Sequence, residues 1–133
     1  MVIHVGDLVN LSVLDQLKTV CPDLRAVYGN MDPDSVRTQL PERSIIEIGK
    51  FKIGVMHGGG HPARLIDSLT EKFKNEKVDV IIFGHSHEGV NKKKEGILFF
   101  NPGSATDKIF ASYNSYGIIE INDTIEAKII KLA

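Results

Sequence analysis

The sequence predicts an α/β (α+β) fold built on a mixed sheet. Two of its segments pair a β-rich run with a helical pattern and a second β-rich run, and one further segment reads as a β-hairpin. Val2 to Val5, the helical run Asn10 to Val20 with Leu11, Leu14, Leu17 and Val20 at helical spacing, and Leu24 to Tyr28 form the first βαβ unit. Strands joined in this way are parallel, with a right-handed crossover. Met31 to Arg43, with its prolines and scattered charges, reads as a loop.

Ser44 to Ile48 and Phe51 to Met56, separated by Gly49-Lys50, form the hairpin and bring antiparallel pairing into the sheet. Pro62 suits the first turn of a helix whose inner face is Leu65, Ile66, Leu69 and Phe73. Val78 to Phe83 is apolar except for Asp79, the pattern of a strand buried on both faces. Ile97 to Phe100, Tyr116 to Ile121 and Ile125 to Ile130 are further strands, the last two joined at Asn122-Asp123. The run Lys92-Lys93-Lys94 is expected to cap a turn between strands.

The 133 residues make one domain, 1–133, with no linker or repeat. A domain of this size buries roughly two-thirds of its unfolded surface. Cys21, the one cysteine, cannot form an internal disulfide and is expected to be a buried structural thiol. A formal net charge of -1 gives no general field for nucleic acid or anionic membrane. No apolar stretch approaches the roughly 18 residues of a membrane span, and the start at Met1 lacks signal-peptide features. The expected compartment is the cytoplasm, with no membrane partner.

Small polar cassettes follow the strand runs: Gly6-Asp7, Gly29-Asn30, His57-Gly58 and Gly84-His85-Ser86-His87. Loops after parallel strands gather at one edge of a sheet. Asp7, Asn30, His57, His85 and His87 therefore form a candidate metal site. Imidazole, carboxylate and amide oxygen together suit a divalent transition metal rather than magnesium or calcium. Two such ions can share a carboxylate, activate water and hold a phosphate for in-line attack. Alone, Gly-Asp and Gly-Asn are ordinary turns; the two histidines at i and i+2 after a buried strand carry more weight, provided the backbone turns there.

The order and context of these cassettes, with Asn101-Pro102-Gly103-Ser104 after a later strand, resemble the calcineurin-like metallophosphoesterase superfamily. The branch resembled is that of small bacterial and archaeal phosphodiesterases, whose fold the retromer scaffold subunit shares. The resemblance implies a metallophosphoesterase-type β-sandwich of mixed sheets flanked by helices. It implies Asp7 as a bridging ligand, Asn30, His57 and His85 as the other ligands of one ion, and His87 as a ligand of the second. The activity implied is hydrolysis of phosphate esters by metal-bound hydroxide, with manganese first and zinc, iron or nickel as alternatives.

Two departures accompany it. The family pattern opens with a strand and an Asp-x-His loop, about thirty residues of a βαβ unit, whereas this sequence starts at what corresponds to the second strand. The expectation is an N-terminally truncated fold from a start codon placed too late, an incomplete second metal site, and self-association through exposed sheet edges. Only His4 or His61 could substitute; His4 reads as a packed or edge histidine and His61 as a substrate contact. Met31 stands where larger relatives carry a general-acid histidine. Asp32 is either a partner to a ligand or a turn cap, and Asn101 and Ser104 are candidates for shaping the pocket. The alternative function is a non-catalytic scaffold or protein-interaction module on the same fold.

Overall fold

The computed structural model describes residues 1–132. Its centre is a five-stranded sheet with spatial order β3-β4-β5-β7-β6, formed by β3 (Arg43–Ile48), β4 (Phe51–Met56), β5 (Val80–Ile82), β6 (Gly89–Lys94) and β7 (Ile97–Pro102). β3 and β4 are antiparallel, β4, β5 and β7 are parallel, and β6 returns antiparallel to β7. The sheet is mixed, as its hairpin and crossover segments predict.

Each face of β5 feeds a different cluster. Ile81 points to one side with Met56, Phe83 and Phe99, under Leu65, Leu69 and Phe73 of α3 (Leu65–Lys72) and its C-cap. Val80 and Ile82 point to the other side with Ile46, Ile53 and Val55. The apolar run around β5 is thus explained by burial on both faces. Pro62 opens a single 3₁₀ turn, Pro62–Arg64, ahead of α3.

A second layer covers the Val80 and Ile82 face. It consists of two strand pairs: β1 (Val2–His4) parallel to β2 (Leu24–Ala26), and β8 (Ser115–Ile121) antiparallel to β9 (Ile125–Lys131). Ile3, Val5 and Val27 from the first pair and Ile119, Ile121 and Ile125 from the second pack on the same apolar face. The two pairs share no ladder with each other. Outside β1 and β2 lie α1 (Leu11–Val20) and the short α2 (Asp34–Arg37), packed through Leu8, Leu14 and Val36. Helix, sheet, split sheet and helices form the β-sandwich flanked by helices.

α1 begins at Asn10, whose side chain accepts the Ser12 N–H at 2.9 Å, an N-cap. It stops at Cys21 because Pro22 cannot continue the ladder. Cys21 is half-buried beside Pro22, not the buried thiol expected from the sequence. Two further expectations are corrected. The segment Met31 to Arg43 contains α2, one turn started by Pro33. Lys92-Lys93-Lys94 does not cap a turn; it is part of β6, an edge strand whose exposed lysines oppose Phe99, Leu98 and Ile97. Among the described residues no helix is long and apolar enough to cross a membrane.

Gly54 on β4 provides the space for the ring of Phe73: a Cβ there would sit 2.8 Å from Phe73 Cε1. Phe73 is 2 % exposed and cannot swing out. Gly54→Val should therefore destabilise the fold by about 1–3 kcal/mol, read as a lower urea midpoint. An unchanged midpoint would mean that Phe73 does not fill this space.

Candidate metal centre

β1 and β2 in one layer and β4 and β5 in the other all end at the same rim, and their following loops meet there. The loops pack tightly because of their glycines. A Cβ on Gly6 would lie 2.6 Å from Gly29 N and 2.9 Å from His57 Nδ1, and one on Gly29 would lie 2.8 Å from the same ring nitrogen. Gly6 also holds φ of 100°, open to glycine at no steric cost. Between these loops the His57 ring is sealed, with the residue only 4 % exposed.

Asp32 joins the first two loops. Its Oδ2 accepts the N–H groups of Asp7 at 2.9 Å and Gly29 at 2.8 Å, and its Oδ1 accepts the N–H of Val9 at 2.7 Å. The two roles considered for Asp32, ligand support and turn cap, are here one role. Asp7 itself stands at φ 60°, and its Oδ1 accepts the Met31 N–H at 2.8 Å. His85 and His87 lie at φ 66° and 63°. Those left-handed residues supply the backbone turn that two histidines at i and i+2 require.

The imidazoles are oriented by backbone carbonyls. His57 Nδ1 donates to the Val5 carbonyl at 2.7 Å, so its Nε2 is the atom turned toward Asn30 Oδ1 at 2.9 Å and Asp7 Oδ2 at 3.2 Å. His85 Nε2 donates to the Gly60 carbonyl at 2.9 Å, leaving Nδ1 to face Asn30 Oδ1 at 3.3 Å. The two rings meet edge to face with centroids 5.4 Å apart. Fixing one nitrogen on an outer acceptor and freeing the other is how proteins prepare a histidine ligand.

This donor set fits a cation. With Nδ1 donating to Val5, Nε2 meets two oxygens, a contact that either a proton on that nitrogen or a cation between the three atoms would satisfy. Two ligands at right or tetrahedral angles on bonds of about 2.1 Å lie roughly 3.0–3.4 Å apart. The separations of 3.2 and 3.3 Å fall within that range and the 2.9 Å one just below it. Among the described residues no three histidine, cysteine or acidic side chains form a metal cluster on their own. The amide oxygen of Asn30 joins the carboxylate to the imidazoles.

His87 stands beside this set rather than in it. Its Nδ1 meets Asp107 Oδ2 at 2.6 Å, and its charge acts on the Asp7 carboxyl. Asp107 was not visible as a site residue in the sequence, since it follows Ser104 in a loop with no recurrent spacing. The Ile109 backbone N–H, then the His87 hydrogen bond, hold the Asp107 carboxyl down to about 2.

The sequence matches the calcineurin-like phosphoesterase superfamily domain over residues 1–124. The chain belongs to that superfamily. It is 36 % identical over 133 residues to a probable metallophosphoesterase of Methanocaldococcus jannaschii, covering 99 % of this chain and 66 % of the relative. The curated relatives it matches are longer, and it spans 55 to 66 % of their length. An archaeal phosphodiesterase superposes with TM-score 0.79 and 26 % identity over 98 % of this chain and 81 % of that one. The zinc complex of Vps29 from Entamoeba histolytica superposes with TM-score 0.73 and 28 % identity, over 97 % and 80 %. The superfamily implies divalent metal ions and phosphate-ester substrates.

For this phosphoesterase fold the remaining sequence candidates fall outside the donor set. His4 Nδ1 accepts the Gly6 N–H at 3.1 Å, and burial pulls its pKa down. It is a packed histidine that supports the first loop. His61 is exposed. Its Nδ1 accepts the Ala63 N–H at 3.1 Å, so it caps the 3₁₀ turn. Asn101 is fully buried and donates to Gly84 O at 3.0 Å and Ser86 Oγ at 3.1 Å, holding the histidine loop in shape. Ser104 Oγ accepts the Asp107 N–H at 3.0 Å.

The metal-free centre has a defined pH response. Burial is the largest influence on His57 and lowers its pKa, but the hydrogen bonds to Asp7 and Val5 and the nearby carboxylates outweigh it, leaving the value above 6.5. Burial likewise raises Asp7, but the His57 and Met31 hydrogen bonds bring it below 3.8. The stability His57 contributes is thus complete below pH 6.5 and lost as pH rises through its raised folded value. That from Asp7 is complete above 3.8 and lost as pH falls through its lowered value. In proton NMR of the metal-free protein, the His57 ring should titrate above pH 6.5 and shift downward in Asp7→Asn; a wild-type midpoint below 6.5 would contradict the pairing.

Proposed function

We propose that the protein is a metal-dependent phosphodiesterase or phosphatase whose ion is held by Asp7, Asn30, His57 and His85, with His87 positioned for a second. The carrying observation is that Asn30 Oδ1 and Asp7 Oδ2 both approach His57 Nε2, at 2.9 and 3.2 Å, while His85 Nδ1 lies 3.3 Å from the same Asn30 oxygen. Manganese is the first choice of ion, with zinc, iron and nickel as alternatives, because the donors mix nitrogen and oxygen. A divalent ion supplies Lewis acidity there and lowers the pKa of water.

The chain's own residues set the geometry. The carbonyls of Val5 and Gly60 keep His57 and His85 turned inward, and the Met31 N–H fixes one Asp7 oxygen so that the other faces His57. None of the groups described as facing the centre is a side-chain proton donor placed for a leaving group. Met31 follows Asn30, and His61 serves as a cap. The protein is therefore suited to esters whose leaving groups depart without a strong acid. Cytoplasmic location and self-association through free sheet edges belong to the same proposal.

The second reading is a scaffold on the same fold, favoured by the likeness to Vps29. After manganese loading and desalting, the enzyme reading expects bound metal by elemental analysis and hydrolysis of an activated aryl phosphodiester. Asp7→Asn and His85→Ala should each lower activity beyond the ~10–100-fold typical of an outer-shell loss, and His85→Ala should lose metal. A folded wild-type protein that neither binds metal nor hydrolyses the ester would transfer the assignment to the scaffold.

A further inference from the structure

Four apolar side chains are exposed on the loops around the donor set. Val9 is 59 % exposed, Met31 62 %, Phe110 74 % and Ile109 83 %. None is a stray surface residue, because each is anchored to the centre through its backbone. Val9 keeps φ of 71°, unfavourable for a β-branched residue, while its N–H is held by Asp32. The Met31 N–H is held by Asp7.

Ile109 and Phe110 form the tip of a loop pinned by Asp107. Asp107 Oδ1 accepts the N–H groups of Ile109 at 2.8 Å and Phe110 at 3.2 Å, and Oδ2 accepts that of Ala111 at 3.2 Å. The same Oδ2 lies 2.6 Å from His87 Nδ1. The loop that carries two exposed apolar side chains is thereby tied to a histidine of the centre. The Phe110 ring meets that of His87 at 6.4 Å, inclined by 61°.

We propose that Phe110, whose ring meets that of His87, forms with its neighbour Ile109 a specificity wall for a planar phenolic (aryl) ester group of a phosphodiester. This rests on the phosphoesterase reading above. An ester substituent of a phosphate held at the donor set and directed to the His87 side would meet the Phe110 ring. The missing proton donor selects the same class of substrate. A phenol, with a pKa near 10, leaves as its anion far more readily than an alkyl alcohol.

The test is binding of non-hydrolysable phosphonates to the manganese-loaded protein, followed by calorimetry. Phenylphosphonate should bind more tightly than methylphosphonate by roughly 2–12-fold, the range for one aromatic contact. Phe110→Ala should bring that ratio to about one, and Ile109→Ala should reduce it. Phe110→Trp should preserve it, and since the sequence has no tryptophan, the new indole alone should report phenylphosphonate by its fluorescence. Equal affinities in the wild type, or a ratio unaltered in Phe110→Ala, would overturn the wall and leave the phosphoesterase reading intact. Failure to bind either phosphonate would overturn both.

Discussion

The arrangement at the rim depends on one buried carboxylate. Asp32 is 5 % exposed and takes three backbone N–H groups from two loops, Asp7 and Val9 on one side and Gly29 on the other. Hydrogen bonds to an ionised acceptor are each worth about 1.5–3 kcal/mol net, enough together to hold Asp7 and Val9 in left-handed backbone. Without that charge the Asp7 and Asn30 loops would keep the β1–β2 ladder behind them and the Met31 N–H bond to Asp7, but lose the three bonds that fix their backbones. The glycines of the same loops are the steric counterpart: they leave the space that the carboxylate closes.

The donor set is divided between two layers that differ in construction. His57 and His85 follow strands at the middle of the five-stranded sheet, buried on both faces. Asp7 and Asn30 follow a two-stranded parallel pair. The four side chains stay together only while the layers are in contact at one end, where Val5 has its side chain in the shared core and its carbonyl on His57.

Much of this was legible in the sequence. The run around Val80 to Ile82, the hairpin at Gly49-Lys50 and the periodic face of α3 are governed by burial, which leaves a pattern in residue order. The positions brought together as Asp7, Asn30, His57 and His85 were readable because each follows a strand. β6 was missed because an edge strand needs only one buried face and tolerates lysine, so Lys92 to Lys94 looked like a turn. The separation of the second layer into two pairs could not be read either, since strand order across a layer is a long-range property. Asp107 and the carbonyls of Val5 and Gly60 left no signal: a backbone acceptor has no residue type, and Asp107 acts through a loop whose conformation it creates.

β1 and β2 span three residues each and form a sheet of their own. A ladder this short opens by local fluctuation more readily than the central strands, so amide exchange should be uneven across the molecule. Asp7 and Asn30 both follow strands of this short pair. The affinity for an ion at the rim would then contain the cost of ordering that pair, and such an ion would act as a clasp that makes the two layers exchange, and unfold, as one unit.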